Sequence, residues 1–340
     1  MVYEDIPDYF QVGLKELPKS IGFKKIKQYP GFRIDFKDVE SLDGYLAARF
    51  GKSSRYKLRR AVKKLESCFE ISYRMYFGEM TRQEYDFVFE EFYRLLEIRS
   101  HEKGIKNNRN LKTKHWYYEQ VYPMILEKKA SFYVIFDRGI PIDICLNFHL
   151  YNVLFQFIRT YDICYSKFNT GYINLMNQIT WCLENGVASI SFSKGDFYWK
   201  RRWCNSVYNY NYHIFYQRNS LRAALTTHAF LFILWLRQWL REKGIINRYH
   251  QFRDTYLIKP SGLSTAGKIE GIYDPEEGQE AGAEIDYRLP EFTVLRRAIY
   301  EYLFETEDTE KCLNVFRLKK SPQHYLVKGM KSDKIFRIIP

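Results

Sequence analysis

Two stretches of the chain gather residues that can do chemistry. In the first, alternating apolar and small residues over 187–192 run into Lys194, Gly195 and Asp196; Lys200, Arg201 and Arg202 then lie between Trp199 and Trp203. The alternation suits a packed strand, and the glycine–aspartate pair suits a turn. A strand end with a glycine and aimed cations is one way to meet an anionic ligand. The plainer reading is a turn followed by a solvated basic segment. In the second stretch, Tyr161 and Asp162 follow a predicted strand, and Lys167, Thr170 and Gly171 lead into a predicted helix. A helix N-terminus offers unpaired N–H groups and a partial positive charge, so it can hold a pyrophosphate. Gly171 lets the backbone approach closely, and Lys167 adds charge. Asp162 can accept a proton from an attacking amine, with Asp196 as the second candidate. Tyr161 or Tyr165 can donate a proton to a basic leaving group, since a phenol titrates near ten. Either aspartate can equally be a turn residue bonding its own backbone.

Other reactive types read as structural. The cysteines at 68, 145, 164, 182, 204 and 312 show no metal-ligand spacing, and no metal site is expected. They fit reduced core thiols of a cytoplasmic protein. Cys164 and Cys204 lie near the proposed chemistry, but no histidine is close to either in sequence, so they read as packing residues. His149 and His213 fall in predicted strands and read as core or groove residues.

The elements that must position these groups follow from periodicity. Leu42, Tyr45, Leu46 and Phe50 recur at helical spacing, as do Leu58, Val62 and Leu65 over 54–67. A strand is expected over 69–76. Thr81 with Glu84 makes a capping box for a helix with Tyr85, Val88, Phe89, Phe92 and Leu96 on its apolar face. Another helix is expected over 114–128. Strands over 132–136, 140–150 and 153–160 should form an antiparallel meander. A helix from Thr170, a strand from Val187, a strand over 210–216 and a long helix over 220–243 follow. Before all this, 21–37 predicts one or two short strands, with Pro30-Gly31 as a turn. Near the end, a helix is expected over 292–304 and short strands over 314–318 and 335–339.

Composition sets bounds. With 46% hydrophobic residues, 29 Tyr and 26 Phe, the chain should bury a substantial core. Its net charge of +13 favours anionic partners. No apolar stretch follows the early acids Glu4, Asp5 and Asp8, so no signal peptide is expected. The strongest hydrophobic run, 229–236, is far shorter than the roughly twenty residues of a spanning helix. The basic helix 54–67 competes as a nucleic-acid contact. The helix at 220–243, with Phe230, Phe232, Trp235 and Trp239 beside Arg222, Arg237 and Arg241, suits either interfacial membrane docking or packing on a sheet. Packing on a sheet is the reading preferred here.

The stretch containing Phe192, Gly195, Asp196, Lys200 and Trp203 resembles the motif Asp-Phe-Gly-x-Gly-Asp-x-x-Tyr-Lys-x-x-Trp of the CelD-like branch of the GNAT acetyltransferases, which is related to the Fem-type peptidyltransferases. Ser191, Ser193 and Trp199 stand where that family usually has Asp, Gly and Tyr. The basic helix from Ser53 to Glu66 and the run from Thr160 to Gly171 resemble two further motifs of the family, in the family's order. The resemblance implies an α+β fold with a mixed, mostly antiparallel GNAT-like sheet flanked by helices. It implies transfer of an acyl group, most likely acetyl in that family, from acetyl-CoA or another acyl-CoA. Asp162, Tyr161 and Asp196 would be catalytic; Lys167, Thr170 and Gly171 would hold the donor; Gly195, Lys200 and Trp199 would hold the acceptor. The acceptor would be a small molecule or a glycan- or lipid-linked group of cell-envelope or polysaccharide metabolism. The expected site is cytoplasmic, with peripheral membrane contact as an option. Two alternatives stay open: Fem-type transfer from charged tRNA, and a non-catalytic GNAT-like binding protein. The domain expectation is an N-terminal segment 1–40, a GNAT-like domain 41–217, a long helix within 218–258, an acidic glycine-rich linker 259–290 expected to be mobile, and a C-terminal segment 291–340.

Overall fold

The computed structural model describes residues 1–10, 17–105, 108–244, 268–275, 280–319 and 321–339. In chain order the first elements are β1 (Val2–Pro7), β2 (Ile21–Asp35), α1 (Leu42–Arg49), α2 (Lys52–Cys68), β3 (Ile71–Tyr76), α3 (Arg82–Glu102), α4 (Arg109–Lys112) and α5 (Lys114–Leu126). Then come β4 (Ala130–Asp137), β5 (Ile140–Leu150), β6 (Val153–Tyr161), a 3-10 turn Ile163–Phe168, α6 (Thr170–Glu184), β7 (Ser189–Lys194) and α7 (Tyr198–Trp203). The last are β8 (Ser206–Gln217), α8 (Leu221–Glu242), β9 (Lys268–Tyr273), β10 (Ala281–Glu284), α9 (Thr293–Thr306), β11 (Asn314–Leu318), β12 (Ser321–Lys328) and β13 (Asp333–Ile339). The chain divides into two units, each built from two separate segments: Met1–Lys37 with Ala188–Ser261, and Asp38–Val187 with Gly262–Pro340. That division falls inside the stretch 41–217 expected as one domain.

In the first unit the strand order is β1-β8-β2-β7, and the pairings are antiparallel. The β2 strand runs unbroken through Pro30 and Gly31, where a turn was expected. A bulge between Lys27 and Pro30 absorbs the proline, which has no ladder N–H to give. Gly31 pairs with Tyr208, whose ring lies where a Cβ would stand. An aromatic ring covering a strand glycine restores packing that the glycine lacks. One face of α8 packs on this sheet through Phe230, Leu231 and Leu234, against Ile26, Tyr212 and Ile214.

In the second unit the strand order is β6-β5-β4-β3, again antiparallel. Every residue of β4 is buried, as expected of a strand covered on both faces. Alternation sends Phe132, Val134, Ile144 and Leu146 into one cluster with Val88, Phe89 and Phe92 of α3 and Val121 and Ile125 of α5. The capping box expected at Thr81 and Glu84 is present in full, with both reciprocal bonds. It satisfies N–H groups that the helix itself cannot. This is the α+β arrangement, a mostly antiparallel sheet flanked by helices, that the sequence predicts.

The same unit holds a second sheet in the order β10-β11-β12-β13-β9. Two of its strands, β9 and β10, fall within the span 259–290 expected to be a mobile linker. Here the structure differs from the composition. Ile269 and Ile272 lie in the strand that pairs with β13, and Tyr287 is buried against Glu310. Backbone pairing with β11 and β13 and the burial of Tyr287 organise this stretch, while Ile272 itself stays exposed. Residues 259–267 and 276–279 lie outside the described residues. The α9 helix docks on α2: Lys64 donates to the Phe304 carbonyl and lies 4.1 Å above the Phe304 ring, while Arg60 and Lys64 both pair with Glu307. Hydrogen bonds from Arg60 and Lys64 hold the Glu307 carboxyl at about 2. Part of the basic face of α2 is therefore occupied within the fold.

His149, near the end of β5, bonds Ser131 at 2.8 Å and packs between Phe77 and Trp181. Burial lowers its pKa from 6.5 to about 4. The folded state thus resists a proton that the unfolded chain accepts. Stability is full above the unfolded value and is lost as pH falls from 6.5 towards 4, by up to about 3 kcal/mol. Denaturant titrations across that range should show the loss, and His149→Gln should flatten it. An unchanged slope in the variant would remove His149 as the cause.

Candidate functional site

The residues singled out from sequence fall into two groups, one in each unit. In the second unit, β6 delivers Arg159 and Tyr161, the 3-10 turn follows, and α6 begins at Thr170. Asp162 caps the turn: its Oδ1 accepts the Cys164 amide at 2.9 Å, and its Oδ2 accepts from Arg296 of α9 at 3.3 Å. The turn-residue reading of Asp162 is thus realised, with an arginine added. The Tyr161 ring lies between two guanidinium groups, Arg99 and Arg159, each 4.8 Å from its centre. Such stacking holds the ring and both charges in place. Lys167 is half-exposed and 3.8 Å from Glu301. Tyr165 is buried, donating to Asp137 at 2.7 Å. Burial first, and then Tyr300 and Asp137, push its pKa well above the usual phenol value.

The start of α6 carries a feature that sequence reading missed. Arg159 donates Nε to Asp143 Oδ1 at 3.0 Å and Nη2 to Asp143 Oδ2, and Nη2 also lies 3.3 Å from Thr170 Oγ1. Asp143 is fully buried on β5 and accepts a further bond from Asn174 at 2.8 Å, which Gln178 supports. A Cβ on Gly171 would stand 2.7 Å from Arg159 Nη1. The glycine is needed so that the guanidinium can seat against the helix start. Burial opposes the Arg159 charge, but Asp143 outweighs it, and the arginine pKa rises. The residues form a polar network, closed on the Asp143 side, that brings a fixed cation to the N-terminus of α6. The signal was present: an aspartate inside the apolar run of β5 and an arginine in the strand paired with it.

In the first unit, Ser193 and Gly195 both take positive φ, 56° and 103°, and turn the chain sharply after β7. The cations expected in a solvated segment lie on α7 instead. Lys200 and Trp203, three apart and so on one face of a helix, are 5% and 1% exposed. Lys200 Nζ donates to the Phe192 and Lys194 carbonyls at 2.7 and 2.8 Å, tying α7 to the end of β7. Burial lowers its pKa from 10.5 to about 8. Trp199 packs edge-on against Phe192 at 5.3 Å. Asp196 forms a two-pronged pair with Arg201, whose hydrogen bonds lower the carboxyl pKa. Ser191 is buried and shares a hydrogen bond with Tyr208 at 2.7 Å, which continues to Tyr210.

The remaining candidates settle as packing groups. Cys164 and Cys204 are buried, and burial pushes the Cys164 thiol up to about 12. His213 is buried on β8. Among the described residues, no three His, Cys, Asp or Glu side chains gather as metal ligands.

Removing Asp143 leaves a largely buried arginine without its counter-charge. Asp143→Ala should cost about 3–5 kcal/mol in chemical denaturation. Gly171→Ala, which forces Arg159 out of its seat, should also destabilise. Wild-type stability in both variants would mean that the network does not hold α6 to the sheet.

Residues 52–201 match the family model described as an acetyltransferase (GNAT) domain. No curated protein matches the sequence. Among solved structures, similarity extends to a conserved protein of unknown function from Bacteroides thetaiotaomicron, with 9% identity, 58% of this chain and 64% of that chain covered, and a TM-score of 0.40. It extends also to L-PGS from Bacillus licheniformis, with 14% identity, 64% and 67% covered, and a TM-score of 0.39. FemX shows 11% identity, 56% and 65% covered, and a TM-score of 0.40. The chain thus spans slightly less than two thirds of the first and third of these proteins. Over residues 52–201 the chain is thus similar to an acetyltransferase domain of the GNAT type, and its α+β fold is GNAT-like.

Proposed function

We propose that the domain transfers an acyl group from a phosphate-bearing thioester, acetyl-CoA or another acyl-CoA, to an amine or hydroxyl acceptor, with the donor's phosphates held at the start of α6. The observation that carries this reading is the seat of Arg159 against Gly171. A helix N-terminus and a guanidinium fixed by a buried carboxylate converge on one point, and both favour an anion. Thr170 and Gly171 would supply backbone N–H groups, with Lys167 at the rim. The acceptor nitrogen attacks the thioester carbonyl, a C–N bond forms and the C–S bond breaks. Asp162, at the end of β6, would take the proton from the attacking nitrogen, and Tyr161 would return one to the departing thiolate. Lys200, Gly195, Asp196 and Trp199 shape and stiffen the end of β7. The acceptor is of small-molecule or of glycan- or lipid-linked type, and the reaction is cytoplasmic.

A second reading keeps the acyl transfer but takes an aminoacyl ester of tRNA as donor, so that a C–O bond breaks in place of the C–S bond and the proton returns to the leaving ribose hydroxyl. Arg159 also serves this reading, because a fixed guanidinium at the helix start can meet an RNA phosphate. The net charge of +13 fits an RNA donor as well. Direct binding measurements with acetyl-CoA and with aminoacylated tRNA separate the two donors. With the active donor, Asp162→Asn should lower kcat about a hundredfold or more, and Arg159→Gln should act mainly by raising KM. Full turnover in Asp162→Asn would reassign the base. Failure to bind either donor would overturn the reading.

A further inference from the structure

The α8 helix has two apolar faces. A helix packed on a sheet needs one. The inner face is spent on Ile26, Tyr212 and Ile214. On the other face, Leu221 is 84% exposed, Leu225 71%, Phe232 59% and Trp235 55%; Ile233 and Trp239 are exposed beside them. Leu225, Phe232 and Leu236 recur at helical spacing with exposed Ala229 between them, so the stripe is continuous. The Phe232 and Trp235 rings stack with centroids 5.9 Å apart. Monomeric proteins rarely leave a contiguous apolar stripe of this kind bare.

Charge identifies the occupant. Between Asn219 and Leu240 the sequence holds Arg222, Arg237 and His228, and no aspartate or glutamate; the helix ends in Arg241 and Glu242. The cations flank the apolar centre rather than interrupting it. We propose that the exposed face of α8 docks on an anionic lipid surface, lying in the interfacial plane. Tryptophan and phenylalanine suit the headgroup boundary, and arginines reach lipid phosphates from either end. Among the described residues, no helix is long and apolar enough to cross a membrane, so the helix lies on the surface and does not span it. The proposal is independent of which donor the acyltransferase uses.

The test is co-sedimentation of the full chain with vesicles of phosphatidylcholine and phosphatidylglycerol in equal parts, against phosphatidylcholine alone. Binding should require the anionic lipid and weaken with salt. Phe232→Ser with Trp235→Ser should reduce the partition constant at least about tenfold, with unchanged circular dichroism, because both positions are exposed. Arg222→Gln with Arg237→Gln should reduce binding to the anionic vesicles by about tenfold or more; it provides a second reading should the serine variant fail to fold. No binding to anionic vesicles, or equal binding by parent and variants, overturns the proposal. So does concentration-dependent dimerisation that the serine variant abolishes, which would make a second copy the occupant.

Discussion

The second unit turns on one buried ion pair. Asp143 on β5 and Arg159 on β6 are diagonal neighbours on one face of an antiparallel pair, where side chains reach each other across the ladder. Desolvating two charges is expensive, and the pair survives only with further bonds around it. Asn174 and Thr170 provide them, and both belong to α6. The electrostatic requirement of the strand pair therefore fixes the axial position of the helix. Gly171 is part of the same constraint, since any side chain there would collide with the guanidinium. The register of a hairpin thus sets the placement of a helix N-terminus.

The end of β7 is organised on a different principle. Among the described residues no carboxylate hydrogen-bonds Lys200, although Asp196 acts on its charge; the ammonium is bound by two main-chain carbonyls. The lysine accepts a lowered pKa in exchange for closing a loop in which Ser193 and Gly195 take left-handed backbone conformations. The Lys-x-x-Trp spacing of the motif is the spacing of one helical turn. It brings an ammonium and an indole to the same buried face of α7. Read this way, the motif describes a structural clasp as much as a set of ligand contacts.

Much of the fold was legible because it depends on local rules. The capping box at Thr81 and Glu84, the meander of β4, β5 and β6, and the apolar faces of α2, α3 and α6 all follow from spacing within a few residues. Features set by distant partners were not legible. The passage of β2 through Pro30 and Gly31 depends on a bulge opposite β8 and on the ring of Tyr208. The strands at Lys268–Tyr273 and Ala281–Glu284 depend on β13 and β11. At the candidate site, Tyr161, Asp162 and Gly171 were identifiable from type and position. Arg99, Asp143, Arg159 and Arg296 were not, because their roles depend on strand register and on helices far along the chain.

The first unit has its own consequence for how the protein is made. Its two segments are separated by the whole of α1 to α6, yet Ile21 pairs with Gln217 and Arg33 with Ser206. At about 5–20 residues per second, β2 leaves the ribosome on the order of ten to forty seconds before β8 exists to pair with it. During that interval an apolar, tyrosine-facing strand has no neighbour on the side that β8 will fill. The lysines of that strand, Lys24, Lys25 and Lys27, then have a second use. Charge on an unpaired strand discourages edge-to-edge association, so the same residues that sit quietly in the finished sheet guard the nascent chain.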